Sequence, residues 1–80
     1  MRLKDKRVIV TGGSSGIGRA ICELFSKEGA KVVVADIDES GGEETMTKIV
    51  SEGRSCLFVN TDVSSTSDVE NLLDRSSRLF

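Results

Sequence analysis

The sequence contains no histidine, tyrosine, tryptophan or proline among its 80 residues. Histidine is the side chain that most often acts as a base near neutral pH and the commonest metal ligand. Its absence therefore excludes serine-histidine-aspartate, cysteine-histidine and histidine-zinc chemistry within this chain alone. Without tyrosine, no phenol can donate a proton. A chain of this length forms at most one domain with a small core.

Charge and cysteine content narrow the function further. The 11 basic and 13 acidic residues give a net charge of −2 without a basic block, so neither nucleic acid nor an anionic membrane is an expected partner. Cys22 and Cys56 are too far apart for a C-x-x-C pair, and we expect free, at least partly buried thiols in a reducing compartment, with no metal site. The chain has neither a signal-peptide pattern after Met1 nor the ~18 apolar residues of a membrane span, so we expect a cytoplasmic protein.

Three short runs rich in β-branched residues predict strands, at 7–11, 31–36 and 55–60. Their uninterrupted apolar character indicates parallel strands buried on both faces, and helical segments separate them. We therefore predict an α/β, Rossmann-like βαβαβα fold with a three-stranded parallel sheet of order 3-2-1. The first two helices should cover one face and the third helix the other. Val8, Ile9 and Val10 should then lie on an unpaired edge.

Helical periodicity predicts which side chains each helix buries. The first helix should run from Gly16 to a stop at Gly29 and bury the stripe Ile17, Ala20, Ile21, Leu24 and Phe25. The second should follow a break at 40–42, carry Glu43 and Glu44 in its first turn, and bury Met46, Ile49 and Val50 before Gly53. The third has several possible N-cap hydroxyls in residues 64–67, with capping-box spacing between Ser67 and Glu70, and should bury Val69, Leu72 and Leu73.

The segment between the first strand and the first helix reads Thr11-Gly-Gly-Ser-Ser-Gly-Ile-Gly18. Glycines at a helix N-terminus let a phosphate approach free backbone N–H groups, and we expect Gly12, Gly16 and Gly18 to serve the turn, the approach and the close helix packing. The hydroxyls of Ser14 and Ser15 can donate further hydrogen bonds. The spacing fits neither G-x-G-x-x-G nor the P-loop pattern of NTPases. A turn that binds no ligand is the alternative interpretation.

This T-G-x-x-x-G-x-G pattern resembles that of the short-chain dehydrogenase/reductase family, which it matches at Thr11, Gly12, Gly16, Ile17 and Gly18. The resemblance extends over nearly the whole chain. It implies an enzyme that transfers hydride between a nicotinamide cofactor and an alcohol or ketone. The proton-donating Tyr of the family's Y-x-x-x-K motif is absent here, so no catalytic residue is assigned.

Asp36 lies at the carboxyl end of the second strand, directly after the apolar run 32–35, where a carboxylate can accept both ribose hydroxyls of NAD and repel the 2′-phosphate of NADP. In the family, NADP-dependent forms tend to carry a basic residue at the positions held here by Ser15 and Ile37. The resemblance therefore implies NAD rather than NADP. A turn or capping role for Asp36 is the alternative, and Asp38 is expected to be solvated. Arg19 is expected to be an exposed first-turn residue, with an approach to a phosphate as the alternative.

Asp62 and Val63 follow the third strand. The resemblance implies that they hold the adenine, with the carboxylate accepting the exocyclic amine and Val63 covering the ring. A helix-capping or turn role for Asp62 is the alternative.

Two hypotheses about function remain at this point. In the first, residues 1–80 are the N-terminal part of a single Rossmann-fold NAD(P)-binding domain, cut at Leu79 and Phe80 where a helix is unfinished. The complete protein would be a homo-oligomeric oxidoreductase. In the second, the chain is a non-catalytic nucleotide-binding or interaction module.

Overall fold

The computed structural model describes residues 2–78, so the prediction made for Leu79 and Phe80 lies outside the described residues. The elements follow one another in the predicted βαβαβα order. They are β1 (Arg7–Thr11), α1 (Gly16–Lys27), β2 (Lys31–Asp36), α2 (Glu39–Ser51), β3 (Cys56–Asn60) and α3 (Thr66–Arg78).

The three strands form one parallel sheet of order β1-β2-β3, which confirms the predicted Rossmann-like topology. Val34 in the central strand pairs with Val10 on one side and with Phe58 on the other. Within residues 2–78, β1 pairs only with β2, and Ile9 on this edge is 37% exposed. Because the strands are parallel, their carboxyl ends meet along a single edge of the sheet.

The side chains of alternate β2 residues belong to two separate cores, one on each face of the sheet. Helices α1 and α2 cover one face, and α3 covers the other, as predicted. The first core contains Val10, Cys22, Ala30, Val32, Val34 and Ile49. The second contains Val33, Ala35, Val59 and Leu72.

The prediction for the buried stripe of α1 is wrong in most of its members. Ile17 and Leu24 are exposed, whereas Cys22 and Ser26 are the buried residues of this helix. Two stripes lie side by side on α1, and the sheet contacts the one with smaller side chains. Small residues allow the helix axis to approach the strands closely. Most of the more apolar stripe therefore faces away from the described core, and of its members only Phe25, which is half-buried, packs against that core.

The predicted helix break at 40–42 is also wrong, because α2 begins at Glu39 and includes both glycines of that segment. A Cβ atom at Gly42 would lie 2.1 Å from the Phe58 ring, so the absence of side chains serves close packing here. Asp38, expected to be solvated, caps this helix by accepting a 3.0 Å hydrogen bond from the Gly41 N–H. Ile49 is buried as predicted, but Val50 is exposed.

Helix α3 differs from its prediction in its cap and in one side chain. Ser65, not Ser67, accepts the hydrogen bond from the Asp68 N–H, at 3.3 Å. Leu72 is buried as predicted, whereas Leu73 is exposed. None of the helices in residues 2–78 is long and apolar enough to cross a membrane.

Candidate functional site

A cleft of about 320 Å³ opens at the carboxyl ends of the three strands. In open α/β sheets this edge is where ligands bind. Its walls are Thr11, Gly12, Ala35, Asp36, Ile37, Thr61, Asp62 and Val63. Five of the ten residues that the sequence singles out for cofactor binding therefore line one cavity, although they belong to three separate loops.

The glycine-rich turn between β1 and α1 forms one end of this cleft. Gly12 and Gly16 have φ angles of +72° and +56°, a backbone conformation that favours glycine. A Cβ atom at Gly18 would lie 1.9 Å from the Gly12 carbonyl oxygen, so only glycine lets α1 pack this closely on the turn. The three glycines therefore have distinct structural roles at this turn.

The N-terminus of α1 carries no group that competes with an anionic ligand. Ser15 occupies the N-cap position, but its side chain makes no capping hydrogen bond, and the first turn contains no acidic residue. By contrast, α2 is capped by Asp38 and has Glu39 in its first turn. The positive end of the α1 dipole and its first N–H groups thus remain available to a phosphate.

Asp36 is half-buried at the end of β2 and is held by backbone donors. Its Oδ2 accepts from the Ser14 N–H at 3.2 Å, and its Oδ1 accepts from the Asp38 N–H at 3.1 Å. The Ser14 side chain, followed by the backbone N–H groups of Asp38, Ser14 and Ile37, holds the pKa of this carboxyl below its usual value. Each carboxylate oxygen still has a lone pair for a further donor such as a ribose hydroxyl.

Asp62 at the end of β3 is held within its own turn. Its Oδ1 accepts from the N–H and the hydroxyl of Ser64, at 2.9 and 2.6 Å. The Ser64 hydroxyl, and then its backbone N–H, hold the pKa of the Asp62 carboxyl below its usual value. The predicted turn role is therefore present, and the carboxylate also lines the cleft.

The remaining predicted site residues lie outside the cleft lining. Ser14 is buried, and its N–H is used by Asp36. Ser15, Gly16 and Gly18 belong to the turn and the start of α1. Ile17 is 81% exposed on the second position of that helix.

Arg19 is not the exposed first-turn residue that the sequence predicts. Its Nε donates to the Thr45 hydroxyl at 2.8 Å, and its Nη2 donates to the carbonyls of Ser14 at 2.5 Å and Gly41 at 3.1 Å. It therefore connects the glycine-rich turn to α2. Nothing in the spacing of residues 19 and 45 indicates that they meet, so the sequence predicts neither this contact nor any role for Thr45.

A larger open groove of about 740 Å³ lies between α1 and α2. Three acidic side chains line it, Glu39, Glu43 and Glu44, together with two basic ones, Arg19 and Lys48. Both basic groups are already engaged, because Lys48 pairs with Glu23 at 2.8 Å and Arg19 donates to Thr45 and to backbone carbonyls. The excess of acidic side chains makes this groove unfavourable for a phosphate-containing ligand, and it lies on helix sides rather than at strand ends. We therefore place the candidate site in the smaller cleft.

The two thiols lie in the first core or pack against it. Burial raises the pKa of Cys22 to about 11 and that of Cys56 to about 12, so both remain protonated and unreactive at neutral pH. Both are free cysteines, as expected. In the part of the chain that the structure describes, no group of three or more side chains is arranged to hold a metal ion.

Comparison with known proteins identifies the family. The family pattern described as short chain dehydrogenase matches residues 6–80. The chain belongs to the short chain dehydrogenase family. Its fold also superimposes on the crystal structure of a short chain dehydrogenase/reductase from Burkholderia phymatum in complex with NAD, with a TM-score of 0.95 and 34% identity, over 100% of this chain and 28% of the other.

Two curated family relatives illustrate the sequence similarity. The chain is 40% identical over 78 residues to an uncharacterized oxidoreductase of Thermotoga maritima, covering 98% of this chain and 30% of that protein. It is 48% identical over 73 residues to tropinone reductase-like 1 of Erythroxylum coca, covering 91% of this chain and 26% of that protein. The chain thus spans less than a third of the length of these relatives.

Proposed function

We propose that these residues form the first part of a Rossmann-fold domain that binds the adenosine and pyrophosphate groups of a nicotinamide dinucleotide, with NAD preferred over NADP. The observation that carries the proposal is the cleft at the strand ends, where Gly12, Asp36, Ile37, Asp62 and Val63 lie together. NAD in the related Burkholderia phymatum structure supports a dinucleotide as the ligand.

The chemistry of the cleft matches that ligand part by part. The uncapped N-terminus of α1 would receive the pyrophosphate, and Asp36 would accept the adenosine ribose hydroxyls. Ile37 and Val63, 68% and 63% exposed, supply apolar surface for the two faces of the adenine ring. Asp62 would accept the exocyclic amine of the adenine.

The preference for NAD follows from charge at the ribose position. Asp36 is ionised at neutral pH because its pKa lies below the usual value, and a 2′-phosphate at the same place would face like charge. No basic side chain lines the cleft among the described residues. NADP would therefore lose affinity through repulsion that NAD does not experience.

The reaction we propose is that of the family. The bound nicotinamide would supply or accept a hydride, and the substrate would be an alcohol or a ketone. Residues 1–80 contribute cofactor binding and orientation, and the proton donor would lie elsewhere in the complete enzyme. The similarity to an oxidoreductase of Thermotoga maritima and to tropinone reductase-like 1 favours this over a non-catalytic module.

The test is a reversal of cofactor preference. The double substitution Asp36→Ala with Ile37→Arg should reduce affinity for NAD and increase affinity for NADP, each by about tenfold, since a charged hydrogen bond contributes roughly 1.5–3 kcal/mol. Calorimetric titration of both dinucleotides into the intact polypeptide that carries these residues measures the change.

The matched control is Glu39→Arg, which changes the charge by the same amount three residues away but does not line the cleft. It should leave the ratio of the two affinities within about threefold of the original, since exposed charges at this distance are screened. An unchanged preference in the double variant would contradict the ribose assignment.

A further inference from the structure

We propose that Arg19 and Thr45 are positioning residues for the dinucleotide site, because together they fix the direction of two consecutive peptide groups in the glycine-rich turn. This inference rests on the proposed function for its ligand. Neither residue lines the cleft, and each would act through the backbone of residues 13–15.

Thr45 holds the first of these peptide groups from inside the protein. Its side chain is fully buried on α2, and its hydroxyl donates to the Gly13 carbonyl at 2.9 Å. The same hydroxyl accepts from Arg19 Nε at 2.8 Å. The Gly13 carbonyl is the nearest acceptor for its single proton, with the carbonyls of Gly41 and Ser14 farther away at 3.2 and 3.4 Å.

The peptide group between Gly13 and Ser14 therefore connects buried Thr45 to the surface. A trans peptide points its C=O and its N–H in opposite directions, and none of the described peptide bonds is cis. With the Gly13 carbonyl directed at Thr45, the Ser14 N–H is directed outward, where it donates to Asp36 Oδ2 at 3.2 Å. Thr45 thus orients the donor that holds the proposed ribose acceptor.

The next peptide group, between Ser14 and Ser15, is held by Arg19. The Ser14 carbonyl accepts from Arg19 Nη2 at 2.5 Å, so the Ser15 N–H is directed away from α2. Within residues 2–78 this N–H has no acceptor, and it stands at the N-terminus of α1 where the pyrophosphate is proposed to bind. Arg19 thus orients a donor toward the phosphate without touching the phosphate itself.

The two roles predict different losses for two substitutions, measured on the intact polypeptide. Arg19→Met should weaken binding of NAD and of ADP-ribose by about tenfold but change adenosine binding less than twofold, since the donor that is no longer oriented, the Ser15 N–H, is proposed to bind phosphate. Thr45→Val should weaken both NAD and adenosine binding. It should also raise the pKa of the Asp36 carboxyl toward its usual value, as followed by NMR titration, because the Ser14 donor is no longer held.

The controls separate positioning from general destabilisation. Thr45→Ser keeps the hydroxyl and should restore the Asp36 pKa and NAD binding. Thr47→Val removes a threonine hydroxyl at an exposed position of α2, and Lys27→Met removes a basic side chain at an exposed position of α1. Both should leave binding unchanged. If one of the two main variants does not fold, the other main variant still tests the inference. Thr45→Ser and the original protein are then its references.

Two outcomes overturn the inference. In the first, both main variants bind NAD within twofold of the original protein. In the second, Arg19→Met loses adenosine binding and ADP-ribose binding equally, and the Asp36 pKa is unchanged in Thr45→Val. A different result, in which the unsubstituted protein binds no dinucleotide, contradicts the proposed function instead. The Asp36 pKa would still test Thr45 in that case, because it needs no ligand.

Discussion

Asp36 and Asp62 occupy equivalent places at the ends of neighbouring strands and are both half-buried, but they are held by different contacts. Asp36 accepts from Asp38, two residues later, and also from Ser14, which precedes it by 22 residues in the chain. Asp62 accepts both of its hydrogen bonds from Ser64, only two residues later. The orientation of Asp36 therefore depends in part on the packing that places the glycine-rich turn beside it, whereas that of Asp62 depends on the local geometry of its own turn.

This difference has a consequence for the site. A carboxylate fixed by long-range packing is oriented before a ligand arrives, and it loses that orientation when distant contacts fail. A carboxylate fixed by a local turn keeps its orientation even when the packing is disturbed. Substitutions that disturb the packing should therefore affect Asp36 more than Asp62, and they are given in order of decreasing expected effect.

The largest effect is expected from Gly18→Ala. The added Cβ atom would lie 1.9 Å from the Gly12 carbonyl oxygen, and the resulting displacement of α1 should cost about 3 kcal/mol of unfolding free energy. Chemical denaturation measures this cost. NAD binding should be lost, while NMR shifts of the Asp62 turn should stay close to those of the original protein.

Gly53→Ala is the matched control for that substitution. A Cβ atom at Gly53 would meet nothing within 4 Å, so only its φ of +81° carries a cost, about 1 kcal/mol. Equal destabilisation by the two substitutions would contradict the close-packing role of Gly18.

An intermediate effect is expected from Asp36→Asn compared with Asp62→Asn. The amide at 36 loses the charge that the proposed ribose hydroxyls would meet, so the Kd for NAD should rise about tenfold. Asp62, which is also half-buried, would accept only the exocyclic amine of the adenine, so its substitution should change the Kd by about threefold. Calorimetry on both variants at pH 7 gives the two values, and the reverse order would refute the ranking of the two carboxylates.

The dependence on pH should follow the lowered pKa of Asp36. A carboxyl with a depressed native-state pKa stabilises the fold above the ordinary value of 3.8, and this contribution is lost as pH falls through the lower native value. The difference in unfolding free energy between the original protein and Asp36→Asn should therefore be constant near neutral pH and shrink below about pH 4. If this difference in unfolding free energy grew on acidification instead, the pKa of Asp36 would be raised in the native state and not lowered.

The smallest effect is expected from Ser64→Ala. Loss of the Ser64 hydroxyl should raise the pKa of the Asp62 carboxyl toward its ordinary value of 3.8, which leaves the group ionised at pH 7. The affinity for NAD at that pH should therefore stay within about twofold, since an exposed local contact contributes little. NMR titration of Asp62 and a single binding isotherm test both statements.

The difference between local and long-range contacts also determines how much of the fold the sequence alone predicts. Strand bounds, sheet order and the T-G-x-x-x-G-x-G turn depend on local pattern, and they were predicted almost residue by residue. The buried face of α1 was not, because Cys22 and Ile21 lie on adjacent stripes and only tertiary packing selects between them.

In the candidate site, too, the features set by local pattern are predictable and those set by long-range packing are not. The cleft positions of Asp36 and Asp62 follow from strand ends that any parallel sheet brings together. The links from Arg19 and Thr45 to the turn depend on how α2 docks beside α1, and Gly41 and Gly42 permit that docking by their lack of side chains. No local spacing encodes such a contact, so it appears only in the folded structure.

The most direct test of the proposed dinucleotide site is a map of amide chemical-shift changes as NAD is titrated into the intact, isotope-labelled protein. We predict that the largest changes fall around the cleft at the strand ends, on Gly12, Ser15, Asp36, Ile37 and Val63. Changes concentrated instead on Glu43, Thr47 and Lys48, in the larger groove between α1 and α2, would contradict it.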